Sequence, residues 1–414
     1  MRKRNLKVGG LLVLATLTLA TTSCKKEGCT DETALNYSEE AKKDDGSCNY
    51  ADDVVDESTV MVSSNITENT TWTKDKTYIL NTRVAVLSGA TLTIEPGTVI
   101  KGEVGTGANA TALIVARGGK LMAEGTATEP IIFTTVADEI MSGQIESPNM
   151  DPTLNGLWGG IIVLGNAPIS ADAQSVQIEG IPASDQNGLY GGSNVADNSG
   201  VLKYISIRHG GANIGEGNEI NGLTLGGVGN GTTIEYIEIV SNQDDGIEWF
   251  GGTVNVSNVV VWNTGDDAID TDQAWAGTLD NFIVVNPGDE CFELDGPEGS
   301  GTGSHTITNG TVAAFGADGL VDLDPNSNLT MSNVYFFELT AGQDFDELPD
   351  ASGSFTGLNL EATIPSGEAV TDYFKAGSDM YVTSVATGSN TVGANAGILT
   401  SWSWAGVSGA LAGF

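Results

Sequence analysis

From Val60 to Phe414 the apolar residues fall in short runs of period two, broken by Gly, Asn and Asp. Almost nowhere do they repeat with the 3.6-residue period of an amphipathic helix. Runs such as ATLTIEPGTVIKG, TALIVARGGKLMAEG, PIIFTT and GLWGGIIVLGNAPI read as successive strands. Five phrases in the second half can be laid under one another: TIEYIEIV (233–240), VSNVVVWN (256–263), LDNFIVVN (279–286), ITNGTVAAF (307–315) and MSNVYFFEL (331–339). Their marker residues Glu235, Asn258, Asn281, Asn309 and Asn333 are separated by 23, 23, 28 and 24 residues. That period predicts one stacked coil per repeat. The asparagines are expected at a bend, where the side chain can bond local backbone and its counterpart one coil away.

Acidic residues follow the same register. DDGIEWF (244–250), GDDAIDTD (265–272), DECFELD (289–295), DGLVDLD (318–324) and QDFDEL (343–348) recur along the chain. Glu248, Asp270, Glu293, Asp322 and Asp344 are spaced by 22, 23, 29 and 22 residues. Two residues further on come Phe250, Asp272, Asp295, Asp324 and Asp346. Residues i and i+2 share one face of a strand, so the paired acids should form one longitudinal stripe with rungs about 4.8 Å apart. Ile269, Phe292 and Val321 each precede a ladder acid and should point inward. Such a stripe either repels itself into solvent or holds cations. Calcium is the cation expected, and the expected ligands are Asp245, Glu248, Asp267, Asp270, Asp272, Glu293, Asp295, Asp322 and Asp324.

The phrase GATLTIEPGTVIKG…GGKLMAEGT…PIIFTT resembles the opening coils of secreted and surface lipoproteins of the Bacteroidetes that carry a right-handed parallel β-helix of the pectin-lyase-like kind. The resemblance implies an all-β solenoid over 60–414, with the SWSW segment (Trp402, Trp404) as part of a C-terminal cap. NTGDDAID (263–270) briefly resembles the polygalacturonase segment whose paired aspartates serve inverting hydrolysis; Asp245, Asp266 and Asp267 would be the acids. That family also uses a downstream histidine and a basic pair. Here the only later histidine is His305, and after Gly210 the only charged base is Lys375. His209, in RHGG (208–211), reads better as a corner residue than as a base.

The N-terminus adds a location. Arg2, Lys3, Arg4 and Lys7 precede a short apolar stretch, Gly9 to Ala20, and then Cys24, the order of a secretion signal rather than a membrane span. The placement of Cys24 resembles a lipoprotein signal, which implies a signal over 1–23, acylation of Cys24 and attachment to the outer membrane, with the leaflet open. Residues 24–59 read as an acidic spacer in which Cys29 and Cys48 are a plausible disulfide in an oxidising compartment. Its CTD…NY…DDGSC wording resembles short modules of secreted Bacteroidetes proteins. Cys291 sits among apolar neighbours and reads as a buried thiol.

The whole chain carries 17 Lys+Arg against 54 Asp+Glu, a net charge of −37. Loss of the signal removes four positive charges. Such a surface repels nucleic acid and disfavours polyanionic ligands unless cations intervene. There is no HExxH motif, Cys/His zinc cluster, Ser-His-Asp order or P-loop lysine. Trp249, Trp262 and Trp275 flank the acids in sequence and suit a shallow glycan groove. The inserts at 137–157 and 182–200 can wall a cleft. The expectation is a non-enzymatic surface lipoprotein with an adhesive, glycan-binding or structural role, its partner a glycan or a surface protein. The alternative is a polysaccharide hydrolase or lyase on the same scaffold.

Overall fold

The computed structural model describes residues 26–34, 36–48, 58–214 and 220–414. The signal segment and Cys24 lie outside the described residues. The chain divides into two compact units, 1–56 and 57–414. In the first, Cys29 and Cys48 form the disulfide. Asp44 and Asp45 accept the backbone N–H of Gly46 and Ser47, at 3.1 and 3.0 Å, and so close the turn that brings Cys48 back.

The second unit is a right-handed parallel β-helix. Among the described residues two long sheets run its length, one of 16 strands and one of eight, and every pairing within them is parallel. A two-stranded antiparallel hairpin, Val176–Gln177 with Leu189–Tyr190, stands apart from them. Consecutive strands of each sheet belong to consecutive coils, which is why hydrophobic phrases a coil apart align in the sequence.

In the later coils one long strand spans two faces of the solenoid by bending. Asn258, Asn281, Asn309 and Asn333 occupy the bend, each with φ between 54 and 62°. Asparagine tolerates this left-handed conformation better than most residues. The side chains also bond from coil to coil: Asn281 to Asn258 at 2.8 Å and Asn333 to Asn309 at 3.1 Å. Asn309 departs from the ladder and donates to Asp280 at 2.7 Å. The first marker is displaced by one position. Glu235 pairs with Ser257, so the bend residue of that coil is Tyr236, with φ 58°. A second bend follows each strand, and His209, with φ 60°, occupies one of these corners.

The interior is a continuous apolar column. Along the eight-stranded sheet, Val84, Leu113, Ile161, Leu223, Ile247, Ile269 and Phe292 stack in register facing inward. Trp249 and Trp275 belong to this core: they are 0 and 1% exposed and stack at 4.6 Å, and His305 stacks on Trp275 at 5.1 Å. Trp262, 9% exposed, is covered as well. None of the three flanks a glycan groove, because side chains this large and apolar fill the coil interior or seal its outer side.

Trp402 and Trp404 do not close an end of the solenoid. They lie against the outer side of the long sheet, packed with Val240, Val260, Trp262 and Ile283. The Ala405 N–H donates to Glu238 at 2.8 Å, and the Trp404 ring stands 4.9 Å from the Arg208 guanidinium. The strands beneath carry apolar residues on both faces, and the second apolar face requires this cover. Among the described residues no helix is long and apolar enough to cross a membrane.

Candidate functional site

The outer face of the eight-stranded sheet changes character along its length. Its central outward column runs Ala85, Ile114, Ile162, Thr224, Glu248, Asp270, Glu293, Asp322. The apolar half is covered by the insert carrying the hairpin, through Ile178, Ile181 and Tyr190. The acidic half begins where that cover stops. The ladder therefore stacks as its spacing predicts from Glu248 to Asp322. The last rung differs: Val321 bridges Phe345, which sets Asp346 rather than Asp344 beside Asp322. Asp344 instead pairs with Lys375.

Three coils contribute a further acidic pair just before the strand. DDGIE, DDAID and DECFE align, so that Asp244/Asp245, Asp266/Asp267 and Asp289/Glu290 stack beside Glu248, Asp270 and Glu293. Backbone bonds lock the corner. Asp245 accepts the Asp267 N–H at 3.0 Å, and Asp267 accepts the Glu290 N–H at 2.6 Å. With Glu179 from the insert, these nine acids line a pocket of about 390 Å³ whose ten lining residues are all carboxylates. The fourth coil reads DGLVD, and Gly319 pairs with Glu290, which removes one acid and ends the pattern.

Asp245, Glu248, Asp267, Asp270 and Glu293 are thus brought together. Asp272, Asp295, Asp322 and Asp324 lie outside the pocket lining. Asp322 meets Asp346 and Glu347 in a separate exposed cluster. Glu179, Asp244, Asp266, Asp289 and Glu290 were not among the expected ligands, and of these only Asp266 is singled out by the sequence, for the resemblance to hydrolysis. The DD, DD, DE alignment was available in the sequence, but Glu179 comes from an insert outside the repeat.

Burial distinguishes this pocket from a solvated stripe. Asp245, Glu248, Asp267 and Asp270 are only 4–8% exposed. Desolvation pushes the Asp245, Glu248 and Asp270 carboxyls well above the usual range, and neighbouring acids add to it. Burial, and then a hydrogen bond that the protonated Asp267 donates to Glu293, takes Asp267 up to about 10. Burial raises Glu290 and Asp295 to about 7, and Asp272, beside Glu298, to about 8. Glu248 and Asp270 face one another, and a proton kept on Asp270 can be donated to Glu248, which raises Asp270 further. Asn221 donates its amide to Glu248.

A cation can replace those protons. Ligand oxygens of Asp244, Asp245 and Asp266 lie within 4.8 Å of one another, and so do those of Asp245, Glu248 and Asp270. Two oxygens on one calcium-sized ion, each about 2.3–2.6 Å from it, stand no more than about 5 Å apart. The clusters therefore fit a divalent ion, with Asp245 common to both. Among the described residues no basic side chain lines the pocket. Arg208, which is fully buried, lies beneath Trp404 on the long sheet. The His209 Nδ1 is 2.5 Å from the Leu154 carbonyl oxygen, a corner contact.

Residues 64–348 match a family model described as a pectate-lyase like beta helix domain. The chain belongs to this family. In this pectate-lyase-like β-helix the match spans both the acidic coils and the covered apolar coils beneath them. No curated protein and no solved structure matches the chain.

Proposed function

We propose that this protein is a lipid-anchored cell-envelope β-helix that binds an anionic polysaccharide through calcium held in the ten-carboxylate pocket. One observation carries the reading: among the described residues the pocket lining is carboxylate and nothing else. A chain of net charge −37 repels polyanions, so a bound polyanion needs bridging cations. Calcium takes six to eight oxygen ligands, and the pocket supplies enough for two ions while leaving positions for ligand oxygens. Acylation of Cys24 and removal of 1–23 would place the protein at the outer membrane. Calorimetry with calcium, followed by polygalacturonate with dextran as the neutral control, tests the site. Binding of polygalacturonate only when calcium is present supports the reading. Equal binding in EDTA refutes it. Mass spectrometry of the native N-terminal peptide checks the anchor, which an unmodified Cys24 would exclude.

Family membership favours a second reading, cleavage of the polysaccharide as a lyase or hydrolase. Glu290, raised by burial to about 7, is suited to exchange protons at neutral pH. The lack of a basic residue in the pocket favours binding over β-elimination. Absorbance of an unsaturated product, together with a reducing-end assay, separates the readings. Turnover by the intact domain that disappears in both Asp270→Asn and Glu290→Gln would make the site catalytic.

A further inference from the structure

A second polar pocket has the opposite character. It measures about 270 Å³ and is lined by Arg117, Asn166, Gln174, Ser175 and residues 191–194, with no carboxylate among them. Arg117 follows the strand Ala112–Val115, and Asn166 follows Ile161–Leu164 on the adjacent coil. Parallel pairing of those strands brings both residues to one corner. The insert folds back over that corner. Gly191 has φ 93°, and a Cβ there would stand 2.6 Å from Ile169 Cδ1. A Cβ on Gly192 would stand 2.5 Å from the Asn166 carbonyl oxygen. The Gly-Gly pair is therefore what lets the loop close against its floor.

The guanidinium is tethered, not consumed. Arg117 Nη1 donates to the Gly191 carbonyl at 2.9 Å, and among the described residues it has no other hydrogen-bond partner. A guanidinium has five N–H donors, so a planar edge remains available. Among the described residues the side chains of Gln174, Ser175 and Ser193 make no hydrogen bond either. The nearby Asp197 is already engaged, accepting from Asn166 at 3.2 Å and Ser199 at 3.3 Å.

We propose that this pocket binds a carboxylate carried on a small body rich in hydroxyl or amide groups. A guanidinium held at one edge is shaped for bidentate carboxylate recognition. The free amide and hydroxyls around it match hydroxyl or amide groups on the same ligand. The volume lies below that of drug-sized sites, which limits the occupant to about one sugar or amino-acid residue. A sugar acid and the C-terminal residue of a peptide share this chemistry. In the calcium pocket metal ions would have to supply positive charge; here the chain supplies its own.

The test uses the intact mature chain in EDTA, so that it does not depend on the calcium pocket. D-glucuronate and N-acetyl-L-alanine are titrated calorimetrically, beside the neutral controls methyl glucuronate ester and N-acetylalaninamide. At least one carboxylate should bind at least about tenfold more tightly than its neutral counterpart, as a charge-assisted bidentate contact requires. The arm that binds identifies the source. Arg117→Gln should weaken it by at least about tenfold, and Arg117→Lys should fall between Gln and wild type. Gln174→Leu, at a side chain without structural bonds, should weaken binding in a chain with an unchanged thermal midpoint. Absence of binding by both carboxylates, equal affinity for the neutral forms, or full affinity in both Arg117→Gln and Gln174→Leu would overturn the proposal.

Discussion

Asp267→Asn isolates the electrostatic cost of the acidic pocket. Asp267 is 4% exposed and its carboxyl is pushed from 3.8 up to about 10 by burial and Glu293. At neutral pH the folded state keeps this proton and the unfolded chain releases it. An acid held in this way contributes its stability fully below pH 3.8 and loses it progressively as pH rises toward 10. Each pH unit is worth 1.36 kcal/mol, so between pH 5 and 7.5 this one group should cost about 3 kcal/mol. That is a large share of the roughly 5–15 kcal/mol that holds a domain folded. The Asn side chain retains an oxygen for the Glu290 N–H and cannot ionise. Urea unfolding in EDTA, followed by tryptophan fluorescence, should show the variant gaining about 3 kcal/mol on the parent between pH 5 and 7.5. Millimolar calcium should erase that advantage, because the ion stabilises the parent by mass action and the variant lacks one ligand. A stability difference that stays constant between the two pH values would mean that Asp267 is ionised in the folded chain, and the buried-proton argument would fail.

Other expectations follow from single groups. Burial lowers His305 from 6.5 to about 3, so its contribution is complete above 6.5 and is lost as pH falls toward 3; His305→Phe should reduce the stability loss between pH 6 and 4 by about 2–3 kcal/mol in acid-unfolding curves. Trp404→Ala removes a 2%-exposed indole from the outer cover, which should cost about 3–5 kcal/mol and open residues 386–414 to limited proteolysis; a protease-resistant C-terminal segment would contradict the packing argument. Asn281→Ala should cost about 2–4 kcal/mol, because Ala is strained at φ 58° and the bonds to Asn258 and from the Asn395 N–H are lost. Asn281→Gly should recover the strain part in the same denaturation assay, and an equal loss in both variants would leave the bonds as the whole effect.

The repeat was legible in the sequence because a β-helix is nearly one-dimensional. Each coil contacts its neighbours, so one period fixes which residues stack, and the rungs Glu248, Asp270, Glu293 and Asp322 stand where that period puts them. The period carries no information where coils change length or contacts leave the repeat. Asp346 displaced Asp344 because the last bridge is set by the apolar pair Val321 and Phe345. Glu179 entered the pocket from an insert that follows no repeat. Trp249 turned inward because alternation within its own strand outweighs nearness to the acids in sequence, and Trp275, in the turn after Ile269–Asp272, stacks on it. Burial of the carboxylates was also beyond the sequence. An outward-facing acid on one strand is ordinarily wet; Asp245, Glu248, Asp267 and Asp270 are buried because three coils stack their acids against one another and the insert closes one side. Sequence determined the column of charge, and only tertiary packing decided that Asp245, Glu248, Asp267 and Asp270 would be buried, where the protonated form is favoured.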